Sequence, residues 1–341
     1  MRYVPYVVAL VVFAGIILVA PARTARFSFP QSPSAKPISK EKKIVIKALP
    51  AVSKPVEKPT PLREEAPLPS VAVAVTPIKK TLTDTPIDLR SVVVVKCLFK
   101  NTAGNQVTAY GSGVMVGEGG YVLTARHVVD MAYTYRITGG KQGLRDYTLD
   151  LCRIAVPPDG TETPTVTAIR TINSFTSVTE FAYVAQVAFL PPEPAEGGMS
   201  EAEYDFADSA LLRVTSAVTG ALPRSFVASP MKIFELPVQG EEVVSFGFPS
   251  GVPLYGNNFY LQGSVGEIKD IVGGDQFFKN QPVGMTAVME TIGGRSGSPV
   301  FWHGYVIGII SSKEDYSRNT AISAIFPIAR FAGDVDIAVF K

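Results

Sequence analysis

Three side chains in this sequence are of the types that nucleophilic acyl chemistry needs: an imidazole, a carboxylate and a hydroxyl on a tight turn. Only two histidines occur, His127 and His303. His127 lies in GSGVMVGEGGYVLTARHVVD (111–130), where two strand-like runs meet at Glu118-Gly119-Gly120. The second run, Tyr121–Thr124, leads into a short helical turn that carries the imidazole. Alone, it reads as a core histidine beside Val128 and Val129. Ser296 stands at the apex of GGRSGSP (293–299), a glycine-rich turn followed by a strand. There the Gly294 and Ser296 amides are placed to meet a developing oxyanion. Glycine at 294 reaches backbone conformations that cost other residues roughly 1–3 kcal/mol. A phosphate-binding loop is disfavoured because no Gly-Lys-Ser/Thr ending follows. Asp208 heads the apolar run SALLRV (209–214), where a carboxylate can be buried beside an imidazole and hold its tautomer. Asp205 is the local rival and lacks that run.

The order His, Asp, Ser along the chain is that of the chymotrypsin-type triad. TARHVV, DSALLRV and GRSGSP together resemble the trypsin-like serine peptidase superfamily, in its HtrA/Deg-like branch. GSGVMV (111–116), VVSFGFPSG (243–251), GSVGEI (263–268), GYVIGIISS (304–312) and ISAIFPI (322–328) extend the resemblance over about residues 90 to 332. It implies an all-β fold of two perpendicular antiparallel β-barrels, with His127 and Asp208 in the first and Ser296 in the second. It implies catalysis by His127, Asp208 and Ser296, an oxyanion hole from Gly294 and Ser296, and a contact from Ser311 to the triad carboxylate. By motif alignment the floor of the primary pocket falls near Glu290, where a carboxylate would favour Lys or Arg; a solvent-facing Glu290 is the stronger expectation. Arg126 departs from the small residue usual before the histidine, and Ser298 replaces a glycine. No PDZ-like module is expected after the last strand. The stretch from 133 to 204 is long for the family, and FLPPEPAEGGMSEAEY (189–204) reads as a loop over the cleft or towards a partner.

The elements that must position these residues are short β-branched runs between turn residues. They include SVVVVKCLF (91–99), QVTAYGSGVMV (106–116), YVLT (121–124), EVVSFGF (242–248) and YVIGIISS (305–312). Helix is expected only around His127 and near Pro327–Ala332. Ahead of them, 12 of the 27 prolines fall between residues 21 and 86, interleaved with lysines. Proline withholds amides from a ladder, so this reads as an extended linker. Ile44–Ile46 and Val71–Val75 are weak strand candidates within it. Before the linker, Val4–Ala20 is an uncharged apolar run of about 17 residues, near the lower limit for spanning a bilayer. It reads as a hydrophobic signal-anchor helix in preference to a cleaved signal peptide, with the rest of the chain exported. The expected organisation is therefore 1–22 anchor, 23–87 linker, 88–225 first barrel and 226–341 second barrel.

The 341 residues carry 32 basic and 30 acidic side chains, a formal charge of +2, which offers no basic face for nucleic acid. Two cysteines and two distant histidines lack metal-ligand spacing. Cys97 and Cys152 are read equally well as one bridge or as two buried thiols. The expectation is a membrane-tethered, extracytoplasmic serine endopeptidase acting on proteins or peptides without a cofactor. The rival is a catalytically silent protein-binding module of the same fold. A viral-type processing enzyme would share the chemistry, but no self-cleavage site is identifiable.

Overall fold

The computed structural model describes residues 16–17, 87–137, 144–159, 161, 169, 176–192, 200–249, 258–274, 278–279, 281–291, 293–313 and 319–333. The expected linker and nearly all of the N-terminal apolar run lie outside these residues, as do Ile44–Ile46 and Val71–Val75. From the run, only Ile16–Ile17 (β1) is described, paired with Ala109 and Thr108. Among the described residues no helix is long and apolar enough to cross a membrane.

The rest is two closed, six-stranded antiparallel barrels in the chymotrypsin-like arrangement. The first is built from β2 (Val92–Lys100), β3 (Gln106–Val116), β4 (Tyr121–Thr124), β5 (Thr148–Ala155), β7 (Tyr183–Phe189) and β8 (Ala210–Ala217). Its order is β3-β2-β5-β7-β8-β4, and β4 closes the ring on β3. The second is built from β9 (Glu242–Gly247), β10 (Phe259–Gly273), β11 (Pro282–Met289), β12 (Pro299–Trp302), β13 (Tyr305–Lys313) and β14 (Asn319–Ala324). Its order is β11-β14-β13-β12-β9-β10, with β10 closing on β11. The short β6 (Thr176–Val178) comes from chain that precedes Asp208 yet pairs with Phe259–Leu261 of the second barrel.

Why these strands form is visible in their burial. Val92–Val95 are all at most 1% exposed, so β2 is apolar on both faces. All four belong to one core cluster, which holds the first-barrel core and also Phe246, Phe301 and Ile309 of the second barrel. Each such side chain contributes roughly 1.5–3 kcal/mol. A separate cluster fills the second barrel around Ile268, Met285 and Ile307. In β10 the register breaks between Ile268 and Asp270 and again between Val272 and Gly273, which bends a fifteen-residue strand around the barrel. Cys97 and Cys152 are cross-strand partners in β2 and β5 and form a disulfide.

Helices are more numerous than expected. Besides α1 (Arg126–Val129) there is α2 (Met131–Ile137). The segment 189–204, read as loop, leads into α3 (Glu201–Phe206). Its start is a capping box: the Glu203 amide donates to Ser200 Oγ and the Ser200 amide to Glu203 Oε2. The C-terminal helix, α4, spans Ile325–Gly333.

Candidate active site

His127 and Asp208 are brought together by strand pairing. Thr124, at the end of β4, is the register partner of Ala210, at the start of β8. The chain runs on from Thr124 into α1 and His127, and arrives at Ala210 from Asp208. Both side chains are buried, at 4% and 1% exposure. The His127 amide donates to Asp208 Oδ1 at 3.0 Å, and His127 Nδ1 lies 2.7 Å from Asp208 Oδ2. A third bond comes from the second barrel. The register of β13 against β14 slips between Ile310 and Ser312, leaving Ser311 in a bulge. Its hydroxyl donates to Asp208 Oδ2 at 2.6 Å. The carboxylate therefore accepts three hydrogen bonds, which suits a buried anion. Nδ1 is fixed towards Asp208, and Nε2 points away without a hydrogen-bond partner among the described residues.

The serine turn docks on the first barrel through its backbone. The Ser112 amide donates to the Ser296 carbonyl at 2.7 Å, and Ser112 Oγ donates to the Gly294 carbonyl at 3.3 Å. Ser112 Oγ also accepts the Phe248 amide at 2.9 Å. On the other side the Gly297 amide donates to the Ile310 carbonyl at 2.7 Å. Gly297 is required twice over. Its φ is +82°, and a Cβ there would lie 2.1 Å from the Ser112 carbonyl oxygen and 2.5 Å from Thr124 Oγ1. Gly111 is equally tight: a Cβ would sit 2.9 Å from the Ser296 carbonyl oxygen and 2.6 Å from Val128 Cγ2, beside His127. The turn is thus pressed against α1. Gly294 has φ +88°. Among the described residues no acceptor takes the Gly294 or Ser296 amide.

Arg295, between those amides, is 3% exposed and turns into the second barrel. Nη1 donates to Ser264 Oγ at 2.6 Å and, at 3.5 Å, to the Glu290 carbonyl. Nη2 donates to the Ser245 carbonyl at 2.8 Å, and Nε has no partner among the described residues. Burial pushes its pKa down to about 10, opposed by the charge of Glu290. Glu290 itself is exposed at the end of β11. A basic side chain approaching Glu290 would meet the Arg295 charge as well. His303 lies in the β12–β13 turn with φ +49°. Among the described residues no group of His, Cys, Asp and Glu is clustered for a metal ion.

The trypsin-like peptidase domain family matches residues 111–309, more than half of the chain. The chain belongs to this family. Among curated proteins none matches it. A solved structure of similar shape is described as the crystal structure of Deg5; it is 15% identical, covers 71% of this chain and 87% of its own, and has a TM-score of 0.43.

Within the peptidase domain, His127, Asp208, Ser311, Ser296 and Gly294 fall around one junction between the barrels. Sequence reasoning missed Ser112, whose hydroxyl and amide seat the serine turn; its signal was a serine between two strand glycines. It also missed Glu203, though Ser200-x-x-Glu203 spells a capping box. The departure at Arg126 is absorbed: the side chain is buried and turns to Asp130 and the Pro191 carbonyl.

Proposed function

We propose that the protein is a serine endopeptidase that cleaves peptide bonds in proteins through an acyl-enzyme. The observation that carries this reading is the buried Asp208 carboxylate, which binds His127 by its amide and by Nδ1 and is held from the other barrel by Ser311. With Nδ1 on the carboxylate, Nε2 is the atom left to take the Ser296 proton as Oγ attacks the carbonyl. Asp208 stabilises the imidazolium that results. The Gly294 and Ser296 amides, without acceptors of their own among the described residues, receive the oxyanion. The imidazolium then returns its proton to the leaving amine, and water repeats the cycle on the ester. His127 Nε2 makes no hydrogen bond to Ser296 here; such catalytic contacts commonly tighten in the complex with substrate. No metal or organic cofactor enters these steps.

The same reading places the domain outside the cytoplasm, tethered by the N-terminal apolar segment in a form in which Ile16–Ile17 is released from its pairing with β3. The Cys97–Cys152 bridge supports an oxidising compartment. A second reading, a silent binding module, is favoured by His127 Nε2, which has no partner among the described residues. Labelling of the full chain with a fluorophosphonate, beside Ser296→Ala, decides between them. The peptidase reading expects label on the parent alone. A folded parent that takes no label leaves the binding module.

A further inference from the structure

The segment between β7 and Asp208 does more than connect. Arg126, the residue before His127, holds both of its ends. Nη1 donates to the Pro191 carbonyl at 2.8 Å. The guanidinium carbon lies 5.0 Å from the Tyr204 ring centroid and 5.0 Å from that of Tyr133 on α2. Nε is anchored on Asp130 Oδ2 at 2.9 Å. The far side of the segment is fastened to the second barrel. Glu203, 2% exposed, uses both carboxylate oxygens: Oε2 accepts the Ser200 amide that caps α3, and Oε1 accepts the Phe278 amide from the β10–β11 connection at 2.9 Å. Phe206 packs on β11 where a Cβ at Gly284 would lie 2.1 Å from its ring. Tyr133, Tyr204, Ala207, Phe278 and Val283 form an apolar cluster of their own, separate from both barrel cores.

α3 ends at Phe206, and Asp208 follows after a single residue. The carboxylate is therefore approached on one side by a helix clamped to the second barrel. His127 is approached by the arginine that holds the same helix. We propose that Arg126 and Glu203 are positioning residues: they clasp α3 between the barrels and so set the distance and angle between Asp208 and His127. The proposal rests on the triad reading above and deepens it. It also gives a reason for arginine beside the histidine: a small residue there could hold neither end of the segment.

Two conservative changes isolate the clasp. Glu203→Gln keeps one carbonyl oxygen, enough for the capping box but not for the Phe278 amide as well. Arg126→Lys keeps the charge but loses the planar fork and the stacking. In the full chain the His127 Nδ1 proton, hydrogen-bonded to Asp208, is read by NMR downfield of the amides and assigned by its loss in Asp208→Asn. Both variants are expected to broaden or shift this proton. Both should slow fluorophosphonate labelling at saturating probe by roughly 10–100-fold, leaving half-saturation within about twofold. The Cys97→Ala/Cys152→Ala pair, a destabilised control elsewhere in the first barrel, should leave the proton in place. Variants that fold, keep the proton at its parental position and label at the parental rate overturn the proposal. Should Arg126→Lys fail to fold, Glu203→Gln decides alone. A parent that takes no label removes the peptidase reading, whereas the proton still reports whether Arg126 and Glu203 set the His127–Asp208 geometry.

Discussion

Two buried arginines flank the two halves of the site, Arg126 immediately before His127 and Arg295 immediately before Ser296. Both are 3% exposed, and their surroundings differ. Arg126 has a carboxylate at 2.9 Å, a carbonyl and two aromatic faces. Among the described residues Arg295 has only neutral acceptors within hydrogen-bond reach, and its Nε has none. The difference extends to the halves themselves. His127 and Asp208 are held by charged side-chain hydrogen bonds drawn from both barrels. The serine turn is held by backbone fit, with Ser112 on one side and Ile310 on the other. A half built on charge should fail when a partner is deleted; a half built on fit should fail when volume is added.

The largest effect is therefore expected from the smallest substitution. Gly297→Ala places a methyl group 2.1 Å from the Ser112 carbonyl oxygen at a φ of +82°. Overpacking and backbone strain together should cost about 4 kcal/mol. Denaturant melts would read that loss, and fluorophosphonate labelling should vanish. A Gly297→Ala protein that labelled at the parental rate would end the idea that backbone fit seats Ser296.

Arg126→Met comes next. It strands one oxygen of Asp130 and the Pro191 carbonyl in a buried site, a loss of about 3 kcal/mol. Asp130 Oδ1 keeps the Ala132 and Tyr133 amides, which limits the damage. Ser311→Ala should be milder, about 2 kcal/mol, because Asp208 retains both bonds from His127. A labelling rate lower by roughly thirtyfold would fit that loss. If Ser311→Ala labelled no more slowly than the parent, the second barrel would have no hold on the carboxylate.

The contrast between the halves also explains what the sequence could show. His127, Asp208 and Ser296 were readable because each sits in a short local pattern whose order along the chain is informative. The strands at 106–116 and 121–124 were readable because β-branched runs end at glycines. Strands such as Pro282–Met289 and Asn319–Ala324 carry Gly, Thr, Ser and Ala, and owe their state to pairing within a closed barrel. The prolines and glycines of 189–204 read as loop, and the S-x-x-E cap at its end was missed. Nothing local could reveal that Glu203 would meet the Phe278 amide, since that bond crosses 75 residues of chain.

The smallest effect falls on Arg295, and its pH dependence is the sharper test. Near neutral pH, Arg295→Met should change stability by no more than about 1 kcal/mol, because a buried cation without a carboxylate partner offsets its own hydrogen bonds with a desolvation cost. The sign of the alkaline response follows from the direction of the shift. Burial places the folded-state pKa at about 10, below the ordinary guanidinium value. Below about pH 10 both states are protonated, and the cost of burying the charge is present in full. Above it the unfolded chain binds more protons than the native one, so stability contributed by this group rises with pH. The slope is at most about 1.4 kcal/mol per pH unit. Other titrating groups are common to the parent and to Arg295→Met, so the difference between their unfolding free energies isolates the guanidinium. That difference should move in favour of the parent between pH 9 and 11.5. A flat difference over the same range would mean that the field around Arg295 balances its charge after all, and that the two arginines are held alike.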